Sequence, residues 1–232
     1  MVAAPVFFLP GLLEDSDAFE PQIAALTAAG ARCSVADLTR ADTIAGMARD
    51  ALAQAPAPRF ALVGHSMGGY VAFEMLRQAP ARIERLALIA TNARPDTAEA
   101  TEMRRRLMAL AQKDFPAVVE AQLPRLMTPE ALADATKSGT YTEMALGVGK
   151  ETFLRQQEAI IARADSRPHL AAIRCPTLVV AGREDQIMPL EAMEEIARGI
   201  RGAHLEVIEQ CGHMVPVEHP EKLAGLLVSW LE

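Results

Sequence analysis

Aromatic residues are scarce in this sequence. Phe, Tyr and Trp make up 4% of its 232 residues, and Trp occurs once. A pocket lined by aromatic rings is therefore not expected, and flexible aliphatic groups suit the chain better as ligands. Cysteine is scarcer still: Cys33, Cys175 and Cys211 are the full set. An odd number with no C-x-x-C pair excludes a disulfide framework and fits reduced thiols in the cytoplasm. Basic residues are outnumbered, 23 against 30 acidic ones, for a net charge of -7. That balance argues against a nucleic-acid partner. No apolar run is long enough to span a membrane. The opening "MVAAPVFFLPG" has neither a basic leader nor a small-residue cleavage site, so it reads as a strand and not as a signal peptide. Neither GxxxxGK[ST] nor GxGxxG occurs, which removes support for a phosphate-cradling loop. Neither HExxH nor a paired His/Asp cluster occurs, so no metal and no cofactor are expected. Internal repeats and low-complexity tails are also missing.

Half of the residues are apolar, enough for one sizeable core with an insertion. Strand-like runs recur at 5–9, 32–38, 59–64, 83–90, 176–182 and 203–209. Most are followed by a helical pattern, at 18–30, 41–55, after Ser66, at 189–200 and at 219–232. Gly30 fits a helix C-terminal cap and Pro220 a first helical position. Strands rich in Val, Leu, Ile and Ala, alternating with helices, predict an α/β fold: a doubly wound, about six-stranded parallel sheet with helices on both faces. The rhythm breaks between residues 97 and 168. That interval holds no convincing strand and reads as helices punctuated by Pro116, Pro124, Pro129 and Gly139. A helical insertion between parallel strands falls over their carboxyl edge, where ligands bind, so 97–168 is a candidate cap on a core made of 1–96 and 169–232. Within it the run Arg104-Arg105-Arg106 suggests a solvated helix face more than an acidic partner.

The most informative stretch is "LVGHSMGGYVAFEML", 62–76. A strand-like run meets a helix-like run through six residues that favour neither. Gly64 and Gly68 bracket Ser66 as G-x-S-x-G, a corner that holds a serine at the tip of a strained strand-to-helix turn. A serine hydroxyl is too weak an acid to attack unaided at neutral pH. It needs an imidazole to take its proton, and the imidazole needs an orienting carboxylate. Among five histidines, His65 is next to Ser66 and its side chain should point elsewhere, as a packed residue. His169 lies near the end of the insertion, His204 opens a strand, and His219 sits at a helix start. His213 differs: "QCGHMVP" is a loop just after the last strand, on the same sheet edge as Ser66. Asp185 lies in "AGREDQIMP", the loop after the preceding strand, with Glu184 turned away. Asp96, in "IATNARPD", is the competing acid, but it lies six residues beyond its strand.

GHSMGG, AGREDQIMP and CGHMVPVEHP, in that order and after those strands, resemble the loops of the α/β-hydrolase fold family over nearly the whole chain. The resemblance implies Ser66 as nucleophile, Asp185 as acid and His213 as base. It also implies an oxyanion hole made by the backbone N–H groups of Met67, after the serine, and of Leu12, in "LPGLLED". Family members usually carry His-Gly in that loop; Pro10-Gly11 stands here, and proline cannot donate. No HGGG motif occurs. The leading strands common in the family, one of them antiparallel, are missing, which implies six strands, all parallel, as in the compact plant esterase and hydroxynitrile lyase branch. The long helical insertion matches the family's cap. The implied activity is hydrolysis of carboxylic esters or lactones of small, largely apolar molecules. Met103, Leu107, Met108, Leu123, Met127, Met144 and Leu146 are candidates for lining the pocket. C–C bond hydrolysis, enol-lactone opening, perhydrolysis and cofactor-free elimination use the same triad and stay open, as does a slow-turnover ligand-binding or signalling protein. A small-molecule ester or lactone is the expected partner, and a monomer or small homo-oligomer the expected state.

Overall fold

A computed structural model describes residues 5–232; the first four residues of the apolar opening and of the 1–96 segment lie outside the described residues. The strands are β1 (Val6–Leu9), β2 (Cys33–Val35), β3 (Phe60–His65), β4 (Ile83–Ile89), β5 (Thr177–Gly182) and β6 (His204–Ile208). Five of them fall inside a run marked in the sequence, and β3 extends one residue past its run of 59–64, to His65. Helices α1 (Glu20–Ala28), α2 (Ile44–Gln54) and α3 (Met67–Gln78) follow the first three strands. Five more lie between β4 and β5: α4 (Ala98–Ala111), α5 (Phe115–Leu126), α6 (Pro129–Ala133), α7 (Ala135–Val148) and α8 (Lys150–Ile161). The chain then runs through α9 (Leu190–Gly199) after β5, and α10 (Val215–Glu218) and α11 (Pro220–Leu231) after β6.

The six strands form one sheet in the order β2-β1-β3-β4-β5-β6, and every neighbouring pair is parallel. Alternate residues serve two cores, as a sheet covered on both faces requires. Val6, Phe8, Ala61, Val63, Leu178 and Val180 face one core, with Leu26 of α1 and Leu223 and Leu227 of α11. Phe7, Leu9, Phe60, Leu62, Val179 and Ala181 face the other, with Met47 of α2, Val71 of α3 and Ile196 of α9. These side chains are fully or nearly fully buried. Each large one contributes about 1.5–3 kcal/mol relative to exposure. The edge strands β2 and β6 are only partly covered. Local chemistry agrees with the packing. Thr43 caps α2 by accepting from the Gly46 N–H at 3.1 Å, and Gly30, at φ +89°, carries the chain out of α1.

The insertion is helical, but its punctuation differs from the sequence expectation. Pro124 does not end α5; the helix continues two residues past it, to Leu126. Gly139 lies within α7. A break with no counterpart among the expected punctuation lies at Gly149, whose φ of +85° separates α7 from α8.

The topology fixes where a site belongs. From β1 the chain steps outward to β2, then crosses back to β3 on the other side of β1. The loops after β1 and β3 therefore diverge at the carboxyl edge, the place where open parallel sheets leave a crevice.

Candidate active site

Ser66 sits in that crevice, between β3 and α3. Its backbone has φ 50° and ψ -116°, a region that costs a non-glycine residue about 1–3 kcal/mol. Hydrogen bonds over-determine the strained turn. The Ser66 N–H donates to the Ile89 carbonyl at 2.9 Å, and the Ser66 carbonyl accepts from Thr91 Oγ1 at 2.8 Å and from the Gly69 N–H at 2.9 Å. The flanking glycines are there because nothing larger fits. A Cβ on Gly68 would stand 2.0 Å from the Leu9 carbonyl oxygen, and one on Gly64 2.7 Å from the Gly68 carbonyl oxygen. The start of α3 thus packs directly on the end of β1.

The structure brings Ser66, His213 and Asp185 together. Ser66 Oγ lies 2.9 Å from His213 Nε2, and His213 Nδ1 lies 2.8 Å from Asp185 Oδ2. All three residues are buried. The other Asp185 oxygen, Oδ1, accepts from the backbone N–H groups of Ile187 (2.7 Å) and Met188 (2.8 Å). Asp185 therefore presents an oxygen to the imidazole in a fixed orientation. The His213 loop is held from the insertion side: the N–H groups of His213 and Met214 both donate to the carbonyl of Leu126, the last residue of α5. It is held from below by Glu184 Oε2, which accepts from the Cys211 N–H at 2.8 Å.

Asp96 is not near His213 in the hydrogen-bond network. It pairs instead with Arg163 Nη1 at 2.6 Å and Arg104 Nε at 3.2 Å. Of the two acids singled out in the sequence, only Asp185 meets the imidazole. His219 stands at the N-cap position of α11, but its side chain makes no capping bond and Nε2 bonds the Gln210 carbonyl instead; His204 pairs with Glu206 on the surface.

His65 is packed, as its place beside Ser66 implies, but it is not inert. Nδ1 lies 2.8 Å from Glu14 Oε2 and Nε2 lies 2.9 Å from the His213 carbonyl oxygen. Both ring nitrogens face acceptors, and a doubly protonated ring satisfies both. Burial works against that charge. The Glu14 carboxylate and the two hydrogen bonds outweigh it and hold the His65 pKa above its usual value. Glu14 Oε2 also accepts from the Gly11 N–H at 2.8 Å. One buried link thus joins the loop after β1 to the His213 loop. The sequence gives little sign of it. An acid three residues after Gly11 was the only cue, and its partner lies 51 positions away.

In the loop after β1, the N–H groups of Gly11, Leu13 and Glu14 are all engaged, the last two with Gln156 Oε1 and the Gly11 carbonyl. The Leu12 N–H has no acceptor among the described residues. Met67 opens α3, so its N–H has no partner within the helix.

Ser66, His213 and Leu12 line a cavity of about 640 Å³. Its other walls include Tyr70, Met103, Leu107, Leu126, Tyr141, Ile187 and Met188, drawn from both the sheet edge and the inserted helices. Met103 and Leu107 are thus lining residues. Met127 and Met144 are not; both are buried in the core that the insertion shares with the sheet. Tyr70 and Tyr141 are lining aromatics, against the expectation from the low aromatic content. Among the described residues no group of three or more His, Cys, Asp or Glu side chains is placed to hold a metal ion. Among the same described residues no helix is long and apolar enough to cross a membrane.

Comparison with known proteins adds a consistent finding. The sequence model described as the alpha/beta hydrolase fold matches residues 4–220. The chain is 30% identical over 191 residues to the putative carbamate hydrolase RutD of Klebsiella pneumoniae subsp. pneumoniae, covering 80% of this chain and 70% of that one. Among solved structures, a thermophilic esterase from Thermogutta terrifontis, with malate bound, superposes with a TM-score of 0.89 at 30% identity, covering 99% of this chain and 90% of that one. The enol-lactonase from Burkholderia xenovorans LB400 does so with a TM-score of 0.88 at 26% identity, covering 98% and 91%.

Proposed function

We propose that this chain, a hydrolase that belongs to the α/β-hydrolase fold family, cleaves carboxylic esters or lactones of small, largely apolar molecules through an acyl-enzyme on Ser66. The observation that carries the reading is the unbroken run of hydrogen bonds from Ser66 Oγ through His213 to Asp185, opening on a cavity of substrate size. Asp185 accepts the Nδ1–H of His213, which leaves Nε2 bare to take the hydroxyl proton. Ser66 Oγ then adds to the substrate carbonyl. The developing oxyanion is received by the N–H groups of Leu12 and Met67, and the unengaged state of the Leu12 N–H supports that role. Imidazolium donates its proton to the leaving alcohol, and the acyl group stays on Ser66. Water, deprotonated by the same Nε2, cleaves the acyl-enzyme.

The helices of 97–168 act as a cap in this scheme. They supply Met103, Leu107 and Leu126 to the cavity and pin the His213 loop through the Leu126 carbonyl. Leu12, Ile187 and Met188 of the loops below complete the cavity, so selection falls to these cap walls together with those loop side chains. Likeness to the enol-lactonase favours lactone opening as a second substrate type on the same groups. The unpaired cysteines support a cytoplasmic enzyme, and a monomer or small homo-oligomer is sufficient for the chemistry, since every group named lies in one chain.

Labelling with an organophosphonate tests the assignment. A fluorophosphonate should modify the wild type once, at Ser66, and abolish p-nitrophenyl ester turnover. Ser66→Ala should neither label nor turn over, with a loss in kcat on the order of 10⁴–10⁶, while unfolding at an unchanged temperature. Labelling at another residue would overturn Ser66 as the nucleophile, and binding of ester with no multiple turnover would overturn the ester-cleavage reading.

A further inference from the structure

Arg104 is the one member of the Arg104-Arg105-Arg106 run that turns inward. Arg105 pairs with Glu158 and Arg106 with Glu102, both on the surface. Arg104 instead reaches Asp96 and, through Nη1, the Gln157 side-chain oxygen at 2.9 Å. Arg163 takes the other side of the same carboxylate, donates from Nε to the Arg94 carbonyl, and lies 4.5 Å over the Tyr70 ring. Arg104, Arg163, Asp96, Gln157 and Tyr70 all line the cavity that holds Ser66.

The charges here do not balance. Two guanidinium groups share one carboxylate, and their side chains are 18% and 6% exposed, against 2% for Asp96. The other charged groups on the cavity wall do not offset the surplus. Glu14 is committed to His65, Arg94 to Glu195, and Glu99, Glu191 and Arg125 are exposed at its rim. One net positive charge therefore remains in a largely dry wall, where it is worth more than at the surface. Donors are also left over. Nη2 of Arg104 and Nη2 of Arg163 have no acceptor among the described residues. Tyr70 lies four residues along the chain from Ser66, a backbone rise of about 6 Å, and it connects the cluster to Ser66 along one wall of the same cavity.

We propose that Arg104 and Arg163 bind a carboxylate carried by the substrate, so that the preferred ester or lactone bears a free acid a few carbons from its scissile carbonyl. A carboxylate cancels the surplus charge. A phosphate monoester, at about -1.5 to -2, would leave the wall negative. This inference rests on the ester-hydrolase reading and adds the substrate class to it. The rest of the cavity remains apolar, which suits the carbon spacer between the two polar ends.

The test compares matched substrates that differ only in the terminal group: p-nitrophenyl pentanoate against mono-p-nitrophenyl glutarate, and the hexanoate against the adipate hemiester. Wild type should prefer one of the hemiesters over its neutral partner, and the preference should shrink as salt is raised. Arg104→Gln should lower the hemiester-to-neutral ratio of kcat/KM about 10- to 100-fold, the range expected for losing a charged hydrogen bond. Arg104→Lys should restore part of it. Wild type should also bind free glutarate more tightly than pentanoate in calorimetry, a readout that needs neither turnover nor a folded variant. Turnover of the neutral esters with no hemiester preference would overturn the carboxylate site and leave the hydrolase standing. Glutarate binding without turnover of any ester would do the reverse. Tighter binding of inorganic phosphate than of glutarate would overturn the carboxylate assignment.

Discussion

Asp185→Asn tests the proposed mechanism more sharply than deletion does, because the structure dictates which way the new amide must face. Oδ1 of Asp185 accepts two backbone N–H groups, from Ile187 and Met188, at 2.7 and 2.8 Å. An amide NH₂ placed there would point its protons at two donors. The asparagine oxygen must therefore occupy the Oδ1 position and the NH₂ the Oδ2 position, 2.8 Å from His213 Nδ1. The NH₂ then donates to Nδ1. That ring nitrogen becomes the acceptor, so the neutral imidazole carries its proton on Nε2. Nε2 faces Ser66 Oγ at 2.9 Å and can no longer take the hydroxyl proton. The loss expected for such a wrong tautomer in a Ser-His-Asp site is about 10⁴ in kcat, or about 5 kcal/mol on the barrier. The fold should survive, since the change is isosteric and every hydrogen bond keeps a partner. Steady-state kinetics on a p-nitrophenyl ester, with thermal unfolding as the control, reads both. A folded Asp185→Asn enzyme with near-wild-type kcat would refute the argument. If Asp96→Asn were instead the dead variant, the acid would have to be sought in the arginine cluster.

Two further expectations follow from burial and charge. Met103 is 47% exposed and lines the cavity, whereas Met144 is 3% exposed and belongs to the core; Met103→Phe should move the preferred acyl chain shorter, while Met144→Phe should cost about 1–3 kcal/mol by overpacking and leave the chain-length profile alone. A profile moved by Met144→Phe but not by Met103→Phe would contradict the assigned walls. The His65–Glu14 pair should make stability pH-dependent: the folded pKa of His65 is raised, so its contribution is complete below its ordinary value of 6.5 and is lost as pH rises through the folded value. The stability gap between wild type and His65→Gln, measured by urea unfolding across pH, should narrow on the alkaline side; a gap that is flat or widens there would exclude a charged His65.

The four central strands were legible because each is a short apolar run with buried residues on both faces, and the corner at Ser66 was legible because close backbone approach leaves glycine as the residue that fits. His213 and Asp185 could be picked from their positions after the last two strands, since all parallel strands end on one edge. The insertion was harder to read. Helical propensity continues across Gly149 in sequence, and only the left-handed backbone there breaks it. Pro124 looked like a stop, yet α5 runs through it to Leu126. The lining methionines could not be sorted either. Met103, Met127 and Met144 have the same chemistry, and which face of a helix meets the cavity is set by how the helix is rotated against the sheet.

The arginine run shows the same limit from the side of charge. Consecutive residues on a helix point about 100° apart, so three adjacent arginines cannot share one face, and one of them must differ in surroundings from the others. Sequence alone does not say which. What singles out Arg104 is Asp96, eight residues earlier in the loop after β4, together with Gln157 and Arg163 from α8 and the turn that follows it. Asp96 attracts attention in the sequence as a rival for the catalytic acid because an acid after that strand is chemically suited to the role. The fold instead assigns it two cations, and that engagement is the physical reason it does not orient His213. The competition between Asp96 and Asp185 is thus decided by the insertion: α4 and the turn after α8 bring the arginines that hold Asp96 in the cavity wall, leaving Asp185 as the carboxylate that meets the imidazole.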